Sequence, residues 1–163
     1  MKIEKTEEQA LSTLATLCSR GEHCTGEMLE KMRRWNLPEE TQARVMAYLT
    51  TNRYVDDERF TRAFVKDKLL YNKWGRRKIE QALWQKRVDA QIYQPILDEI
   101  ELNEWKAQLL PLLKSKRKSI KGQSDYEVNA KLIRFAMSRG FTMDVIRQCL
   151  DTDEAVDEFE DES

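Results

Sequence analysis

The sequence predicts an all-α protein made of three tandem three-helix repeats, arranged as an elongated array whose curvature the sequence leaves open. Charged residues make up 35% of the 163 residues, with only five glycines and three prolines, a balance typical of helical proteins. Apolar residues recur at three- and four-residue spacing, which is the period of a helix that buries one face. Three such segments also resemble one another at intervals of 51 and 53 residues.

The repeat becomes visible when Leu37, Val88 and Phe141 are aligned, because each follows an amphipathic helix and a short break. Apolar residues occupy the positions five and nine residues earlier in every copy, namely Met32, Leu83 and Ala136, and Met28, Ile79 and Leu132. A second amphipathic stretch follows each break and another precedes each pair. Each copy therefore has three helices, of which the last two form a helix-turn-helix outline. The alternative is one irregular helical bundle whose apolar stripes align by chance.

These signals divide the chain into a first repeat over residues 1–53, a second over 54–102 and a third over 103–150. The remaining residues 151–163 hold eight Asp and Glu and no Lys or Arg, and we expect this acidic tail to be disordered. Without the tail, 28 basic and 29 minus 8 = 21 acidic residues leave a net charge of +7. The folded part is therefore basic.

The turn after the second helix of each repeat calls for a residue that tolerates the left-handed backbone region. Gly140 is well suited to this position in the third repeat. Asn36 and Arg87 occupy the equivalent positions, so only two of the three copies use a residue that is comfortable there.

The adjacent carboxylates Asp56 and Asp57 have two possible roles, as a metal or acid/base site or as the start of a helix. We predict the helix start, because Asp is a favoured N-cap and the apolar face beginning at Phe60 follows directly. A hard-metal site needs several converging oxygen ligands, and no second acidic cluster lies at motif spacing.

No catalytic centre, metal site or cofactor site is expected. The single histidine, His23, lies between Cys18 and Cys24, but this spacing without a second half is a weak match to a zinc site. Phosphate-binding loops and hydrolase motifs are missing from the sequence. Three cysteines without CxxC spacing fit a reducing compartment. No window resembles a membrane span or a signal peptide, so we expect a cytoplasmic protein.

Positive charge is concentrated in two stretches. Between Arg59 and Arg87 there are ten Lys and Arg against two acids, and Lys114 to Lys121 carries five without an acid, in what we predict to be a long connection between helices. Such density is the footprint of a polyanionic partner, and exposed rings of Tyr71, Trp74 or Trp84 would be able to stack on bases. The alternative is a solvated helix face. Little positive charge lies on the third helices, so sequence-specific readout is not expected.

Two segments of the second repeat, "RYVDDERFTRAFV" and "KWGRRKIEQALWQKRVD", resemble the signature of the RecX regulators. The stretches "SRGEHCTGEMLEKM" and "NAKLIRFAMSRGFTMDVI" are similar to the first and third repeats of that family. The resemblance runs from about Ala10 to Leu150 and implies three three-helix repeats. The acidic tail is not part of the family pattern. We expect it to lie over the basic surface and to weaken DNA binding at low salt.

What the resemblance implies about function is a bacterial, non-enzymatic regulator, mainly an inhibitor, of the RecA recombinase in DNA repair, recombination and the SOS response. Such proteins bind the groove of RecA filaments on single-stranded DNA and affect ATP hydrolysis, strand exchange and filament extension. A monomer would suffice for this. The alternatives are a RecA-independent nucleic-acid-binding module and a structural adaptor that docks through its helices.

Candidate residues follow from the signature and from the basic stretches. The positions expected to shape the second repeat are Tyr54, Asp56, Asp57, Phe60 and Gly75. The residues expected to face the filament or its DNA are Arg62, Lys66, Lys73, Arg76, Arg77, Lys116, Arg117, Lys118 and Lys121.

Overall fold

A computed structural model of the chain describes residues 5–121 and 124–151, which form nine helices and no strand. The helices are α1 (Glu7–Arg20), α2 (Thr25–Arg34), α3 (Glu39–Thr51), α4 (Asp57–Leu70), α5 (Arg76–Gln85), α6 (Ala90–Asp98), α7 (Leu102–Ser119), α8 (Asp125–Ser138) and α9 (143–151). They group by threes into three tandem repeats, as predicted. Residues 152–163, which form most of the acidic tail, lie outside the described residues. The expected disorder of the tail therefore stays a prediction.

A turn with the same hydrogen bonds follows the second helix of every repeat. One residue takes a positive φ, and the next donates its N–H to the carbonyl five positions earlier. The positive φ values are 58° at Asn36, 62° at Arg87 and 92° at Gly140. The bonds join Leu37 to Met32 (3.2 Å), Val88 to Leu83 (3.1 Å) and Phe141 to Ala136 (3.2 Å). All three turns use the left-handed region, although only two of them have a residue, Asn36 or Gly140, that favours this conformation.

The apolar positions that define the repeat lie in the core. Met28, Met32, Ile79, Leu83, Leu132 and Ala136 are all fully buried. In the first repeat, Ala10 and Leu14 of α1 and Leu49 of α3 belong to the same hydrophobic cluster as the methionines of α2. Because every copy buries the same helical face, the regular spacing reflects the packing of three similar units and not a chance alignment.

The chain forms two compact units that do not coincide with the three repeats. Unit 1 comprises Met1–Phe64 and Ala82–Ile96, and unit 2 comprises Val65–Gln81 and Leu97–Ser163. Both units take part of the second repeat, whose helices α4, α5 and α6 each cross from one unit to the other. The predicted boundaries at residues 53/54 and 102/103 describe the sequence repeats and not the compact units, and they remain a prediction.

In unit 1, the start of α2 packs against the turn that ends α5. A Cβ added to Gly26 would collide with the carbonyl oxygen of Lys86, so only glycine permits this approach. The Cys24 thiol lies 3.7 Å from the same oxygen. The first and second repeats are thus joined backbone to backbone, and we call this contact the first junction.

Unit 2 contains the equivalent contact between the second and third repeats, the second junction. The N–H of Gly75 donates to the carbonyl of Arg139 at 2.7 Å, and that of Arg77 donates to the carbonyl of Gly140 at 2.9 Å. A Cβ on Gly75 would collide with the backbone of Gly140 and Phe141. This close approach requires a glycine and so supports the structural role predicted for Gly75.

The second basic stretch, residues 114–121, is helical up to Ser119, so its prediction as a long connection was wrong. Trp105, Leu109 and Leu113 form a buried stripe on α7, which packs against α8. Lys and Arg are good helix formers, and positive charges in the last turn interact favourably with the helix dipole. Four of the five basic residues therefore extend an anchored helix, and Lys121 follows it.

Candidate nucleic-acid interface

The two aspartates of the signature begin α4, as predicted. Asp56 caps the helix, since its Oδ1 accepts the N–H of Arg59 at 3.0 Å. Asp57 does more than complement the helix dipole, because its Oδ1 also accepts the N–H of Thr25 at 2.7 Å and the Thr25 hydroxyl at 3.1 Å. One carboxylate thereby ties the start of α4 to the start of α2. The sequence carried no signal for this second contact, since Thr25 is 32 positions away.

The aromatic positions of the signature lie on either side of these aspartates. The Tyr54 ring stacks on Tyr48 with centroids 6.4 Å apart, and Phe60 is buried and stacks on Phe64 at 5.6 Å. These contacts hold the segment between α3 and α4 and agree with a structural role for both residues.

Around Trp74, unit 2 gathers positive charge on an aromatic ring. The ammonium groups of Lys68 and Lys78 lie 5.2 and 4.8 Å from the centroid of the half-buried indole. Both distances are within the range of cation–π attraction. The neighbouring Lys73 donates to Oε1 of Gln108 at 2.7 Å, which connects this segment to α7. Lys68 and Lys78 were absent from the predicted contact residues, although both belong to the basic stretch that suggested them.

Arg76 and Arg77 differ sharply in their surroundings. Arg76 is only 25% exposed, and its guanidinium donates to Glu80 at 2.6 Å and to Asp98 at 2.7 Å. Although burial works to lower the pKa of Arg76, its hydrogen bonds to these two carboxylates raise it above the ordinary value. Its charge is therefore compensated within the protein. Arg77 is exposed and lines a cleft of about 420 Å³ beside the start of α9.

The end of α7 adds a further group of cations. Lys116 of α7 and Arg139, which directly follows α8, both lie 5.4 Å from the ring of Phe135. Lys118 and Lys121 are exposed, and Arg117 is half-buried. Arg139 also accepts a hydrogen bond from Gly75 through its carbonyl, so it links the end of α7 to the segment of Arg77. Arg139 was not among the predicted contact residues, although its i, i+4 spacing from Phe135 is the sequence signal that could have placed the two side chains together.

We use the name basic cluster for cations of unit 2 selected by charge and accessibility: the exposed residues Lys66, Arg77, Lys116, Lys118 and Lys121 and the half-buried Lys73, Arg117 and Arg139. Arg62, by contrast, belongs to unit 1 and pairs with Glu58 at 3.2 Å. Of the nine predicted contact residues, Arg76 and Arg62 are therefore held by carboxylates of the protein itself. The predicted contact role of all nine remains a prediction.

Neither a metal centre nor a membrane segment is found in the part of the chain that the structure describes. No group of three or more His, Cys, Asp or Glu residues in it is placed to hold a metal ion, and none of its helices is long and apolar enough to cross a bilayer. The Cys18 thiol lies 3.9 Å from the sulfur of Met28, and burial raises the pKa of the Cys24 thiol to about 12. His23 Nδ1 faces Glu27 at 3.8 Å.

Comparison with protein families agrees with this architecture. The second three-helix domain of RecX matches residues 56–94, and the third three-helix domain matches residues 104–150. Together these ranges cover more than half of the chain.

Individual relatives extend the similarity to most of the sequence. The regulatory protein RecX of Acinetobacter baylyi is 31% identical over 134 residues, which cover 82% of this chain and 81% of the relative. The regulatory protein RecX of Prosthecochloris aestuarii is 31% identical over 130 residues, which cover 80% of this chain and 83% of the relative. The chain spans 66% of a relative from Clostridium botulinum, which is 28% identical.

Two solved structures share the fold. The crystal structure of RecX from Lactobacillus salivarius has a TM-score of 0.83 at 15% identity, covering 90% of this chain and 95% of that one. Another crystal structure, of a regulatory protein RecX, has a TM-score of 0.82 at 17% identity. The match covers 89% of this chain and 73% of that one.

The fold and its cations define a class of protein, a tandem helix-turn-helix repeat protein with a basic cluster in its second compact unit. Within this class, the two domain matches and the relatives at 31% identity identify the family. The chain belongs to the RecX family.

Proposed function

We propose that this protein regulates a RecA recombinase, mainly as an inhibitor, by binding the groove of RecA filaments on single-stranded DNA. It changes ATP hydrolysis, strand exchange and filament extension through contact, without catalysing a reaction of its own, and it acts as a monomer. Membership of the RecX family and the resemblance of its signature support this proposal.

The basic cluster of unit 2 is the observation that carries the proposal. Arg77, Lys118 and Lys121 are exposed and have no carboxylate within salt-bridge distance among the described residues. Cations without an internal partner are available to the phosphates or carboxylates of a filament. Their electrostatic attraction raises the rate at which the protein associates with the filament. The charge of Arg76 is compensated by Glu80 and Asp98, so Arg77 is the better residue for a test, and the contact role of Arg76 stays a prediction.

The test measures the single-stranded-DNA-dependent ATPase rate of preassembled RecA filaments while this protein is titrated at substoichiometric ratios. The natural protein lowers the rate. Arg77→Glu requires roughly five- to tenfold more protein for the same effect, because an exposed contact charge is reversed. The substitution is tolerated by the fold, since an acidic residue in the first turn of α5 complements the helix dipole.

The matched control is Arg20→Glu, which makes the same charge change at an exposed position in the last turn of α1. It leaves the inhibition unchanged. An ATPase rate that the folded natural protein does not alter contradicts the proposal. In that case, tight and salt-dependent binding to bare single-stranded DNA that RecA does not affect supports the alternative, a nucleic-acid-binding module independent of RecA.

A further inference from the structure

We propose that a cleft in unit 1, at the first junction, binds single-stranded nucleic acid directly, with Arg87 and Lys31 on a backbone phosphate and Trp84 stacked on a base. The cleft measures about 310 Å³ and lies between α2 and the turn that ends α5. It is distinct from the basic cluster of unit 2, and binding there needs no RecA. The inference therefore goes beyond the proposed function.

The backbone of Arg87 is the first indication. Its φ of 62° lies in the left-handed region, where only Gly, Asn and Asp are common, because a side chain crowds the following carbonyl. The equivalent turns of the first and third repeats use Asn36 and Gly140, which suit this conformation. The second repeat carries an exposed arginine instead. Arg53 and Lys73 share a positive φ near 60°, so the strain alone does not mark a site; what singles out Arg87 is that its exposed guanidinium is held in this conformation at a cleft, where it suits an anion.

The first junction holds this strained turn in place. The close approach of Gly26 to the Lys86 carbonyl leaves the turn no room to shift toward α2. The carboxylate of Glu27 binds the Lys86 ammonium at 3.4 Å and the N–H of Cys24 at 3.1 Å. Although burial works to raise the pKa of Glu27, the hydrogen bond from Cys24 and the charge of Lys86 keep it below its ordinary value. Arg87 is thus presented from a rigid support, which lowers the entropy lost on binding.

The charges around the cleft leave two cations for a ligand. Glu30 lies 3.3 Å from Arg33 and 3.5 Å from Arg34, and Glu27 is held by Lys86. Within residues 5–121 and 124–151, no carboxylate lies within salt-bridge distance of the side chains of Lys31 and Arg87, which line the same cleft. Two cations without internal partners at one cleft fit a phosphate.

Trp84 identifies the anion as part of a nucleic acid. Its indole is 70% exposed, although large aromatic side chains are usually buried. Its carbonyl accepts the N–H of Arg87 at 2.9 Å, so the two residues belong to the same backbone turn, and Trp84 directly precedes Gln85, Lys86 and Arg87, which line the cleft. Every base offers a face on which an indole can stack, but only when the strand is unpaired. The equivalent positions in the other repeats are Arg33 and Met137, so among these three equivalent turns that of the second repeat combines an aromatic ring with a strained arginine.

The test measures the binding of the full chain, without RecA, to a fluorescently labelled oligothymidylate by anisotropy over a range of salt concentrations. The key variant is Arg87→Asn, which removes the charge and suits a positive φ. It weakens binding about fivefold at low salt, reduces the slope of log affinity against log salt by about 1, and leaves the melting temperature equal or higher. Trp84→Ala weakens binding about tenfold.

Arg53→Asn is the matched control. Arg53 has a φ of 59°, is exposed in unit 1, and does not line the cleft. The same substitution relieves the same strain there, so the melting temperature rises without a change in affinity. The paired variants therefore separate the effect of strain from that of the contact.

Three results overturn the inference. One is the absence of binding to the oligothymidylate, and another is equal affinity for the Arg87→Asn and Arg53→Asn proteins. The third is equally tight binding of polyglutamate with the same dependence on Arg87, which would make the cleft a site for an acidic polypeptide. Because the assay contains no RecA, its failure leaves the ATPase test of Arg77 unaffected, and failure of the ATPase test leaves this one unaffected.

Discussion

At the scale of single residues, Asp56 and Asp57 show how far a short motif can be interpreted. Adjacent carboxylates suit a metal, an acid/base pair or a helix start, and the apolar residues that follow favoured the last. The hydrogen bond from Arg59 to Asp56 confirms it. Asp57 also binds Thr25 at the start of α2, so a residue assigned to one helix end contributes to two.

Cys24 permits a residue-scale prediction about thiol reactivity. Burial raises its pKa to about 12 from an ordinary value of 9.0. Near pH 8 it therefore has roughly a thousandfold less thiolate than an ordinary cysteine, and the thiolate is the reactive form. We expect iodoacetamide to label Cys18, which is only half-buried, well before Cys24 and Cys149, as followed by peptide mass spectrometry. Labelling of all three at similar rates in the native protein would contradict this, and urea-unfolded protein serves as the control.

The same pKa shift sets the sign of a pH effect. The folded pKa of Cys24 lies above the unfolded one, so the neutral thiol contributes its stability fully below about pH 9. That contribution is lost as the pH rises toward 12. Replacement by Ala should therefore flatten the decline of stability over this alkaline range.

At the scale of elements, the two junctions explain how the repeats are joined. In each, the second helix of one repeat begins against the turn that ends the second helix of the next. Gly26 and Gly75 make the approach possible, and backbone or thiol donors point at equivalent carbonyls, those of Lys86 and Arg139. A repeat array is stabilised by such nearest-neighbour contacts as well as by the core of each repeat.

Gly75→Ala tests the second junction. The new methyl group has no space against the backbone of Gly140 and Phe141, so the backbone contact must open. We expect the free energy of unfolding to fall by about 1–3 kcal/mol, the usual cost of overpacking, as measured by urea denaturation. The hydrogen bond to Arg139 should lengthen as well.

Gly21→Ala is the control for this change. Gly21 has an extended backbone, with φ 178°, and nothing lies within 4 Å of an added Cβ. Stability should stay the same or rise by about 0.4–1 kcal/mol, because alanine restricts the unfolded chain. Equal effects of the two substitutions would show that the close approach at Gly75 does not contribute to stability.

At the scale of the whole molecule, the distribution of charge is the dominant feature. The full chain has a net charge of −1, with 28 basic and 29 acidic residues. Residues 152–163 contain seven of the acids and no base, so the remainder has 28 minus 22, a net charge of +6. A polyanionic segment attached to a basic protein competes with other polyanions by proximity.

Deletion of residues 152–163 should accordingly strengthen binding to a single-stranded oligonucleotide. We expect a gain of about two- to tenfold at low ionic strength that disappears as salt screens the charges. Asp151 is kept, because it belongs to α9. Replacing the seven acids by Asn and Gln at full length should have the same effect as deletion. Unchanged affinity in both variants would exclude an inhibitory role for the tail.

Much of the fold could be predicted from the sequence, because the regular spacing of apolar residues reveals the repeat. The core positions, the start of α4 and the turns at Asn36 and Gly140 are local features, set by side-chain type and helix geometry. The basic stretch that ends α7 was misjudged, because polar residues carry no period of their own. Its helical state follows from Trp105, Leu109 and Leu113, which anchor the preceding turns in the core.

The candidate site was predicted in its composition but not in its geometry. By itself, the sequence determined the helical class, the number of repeats, the family and the excess of positive charge outside the acidic tail, because each depends on residue types and their spacing. Only the tertiary structure decided that Arg76 is neutralised by Glu80 and Asp98 and that Arg77 is exposed. It also decided that Arg87 adopts a strained turn supported by Gly26. The partner of a charge lies close in space and often far along the chain, and its position follows from packing and not from pattern.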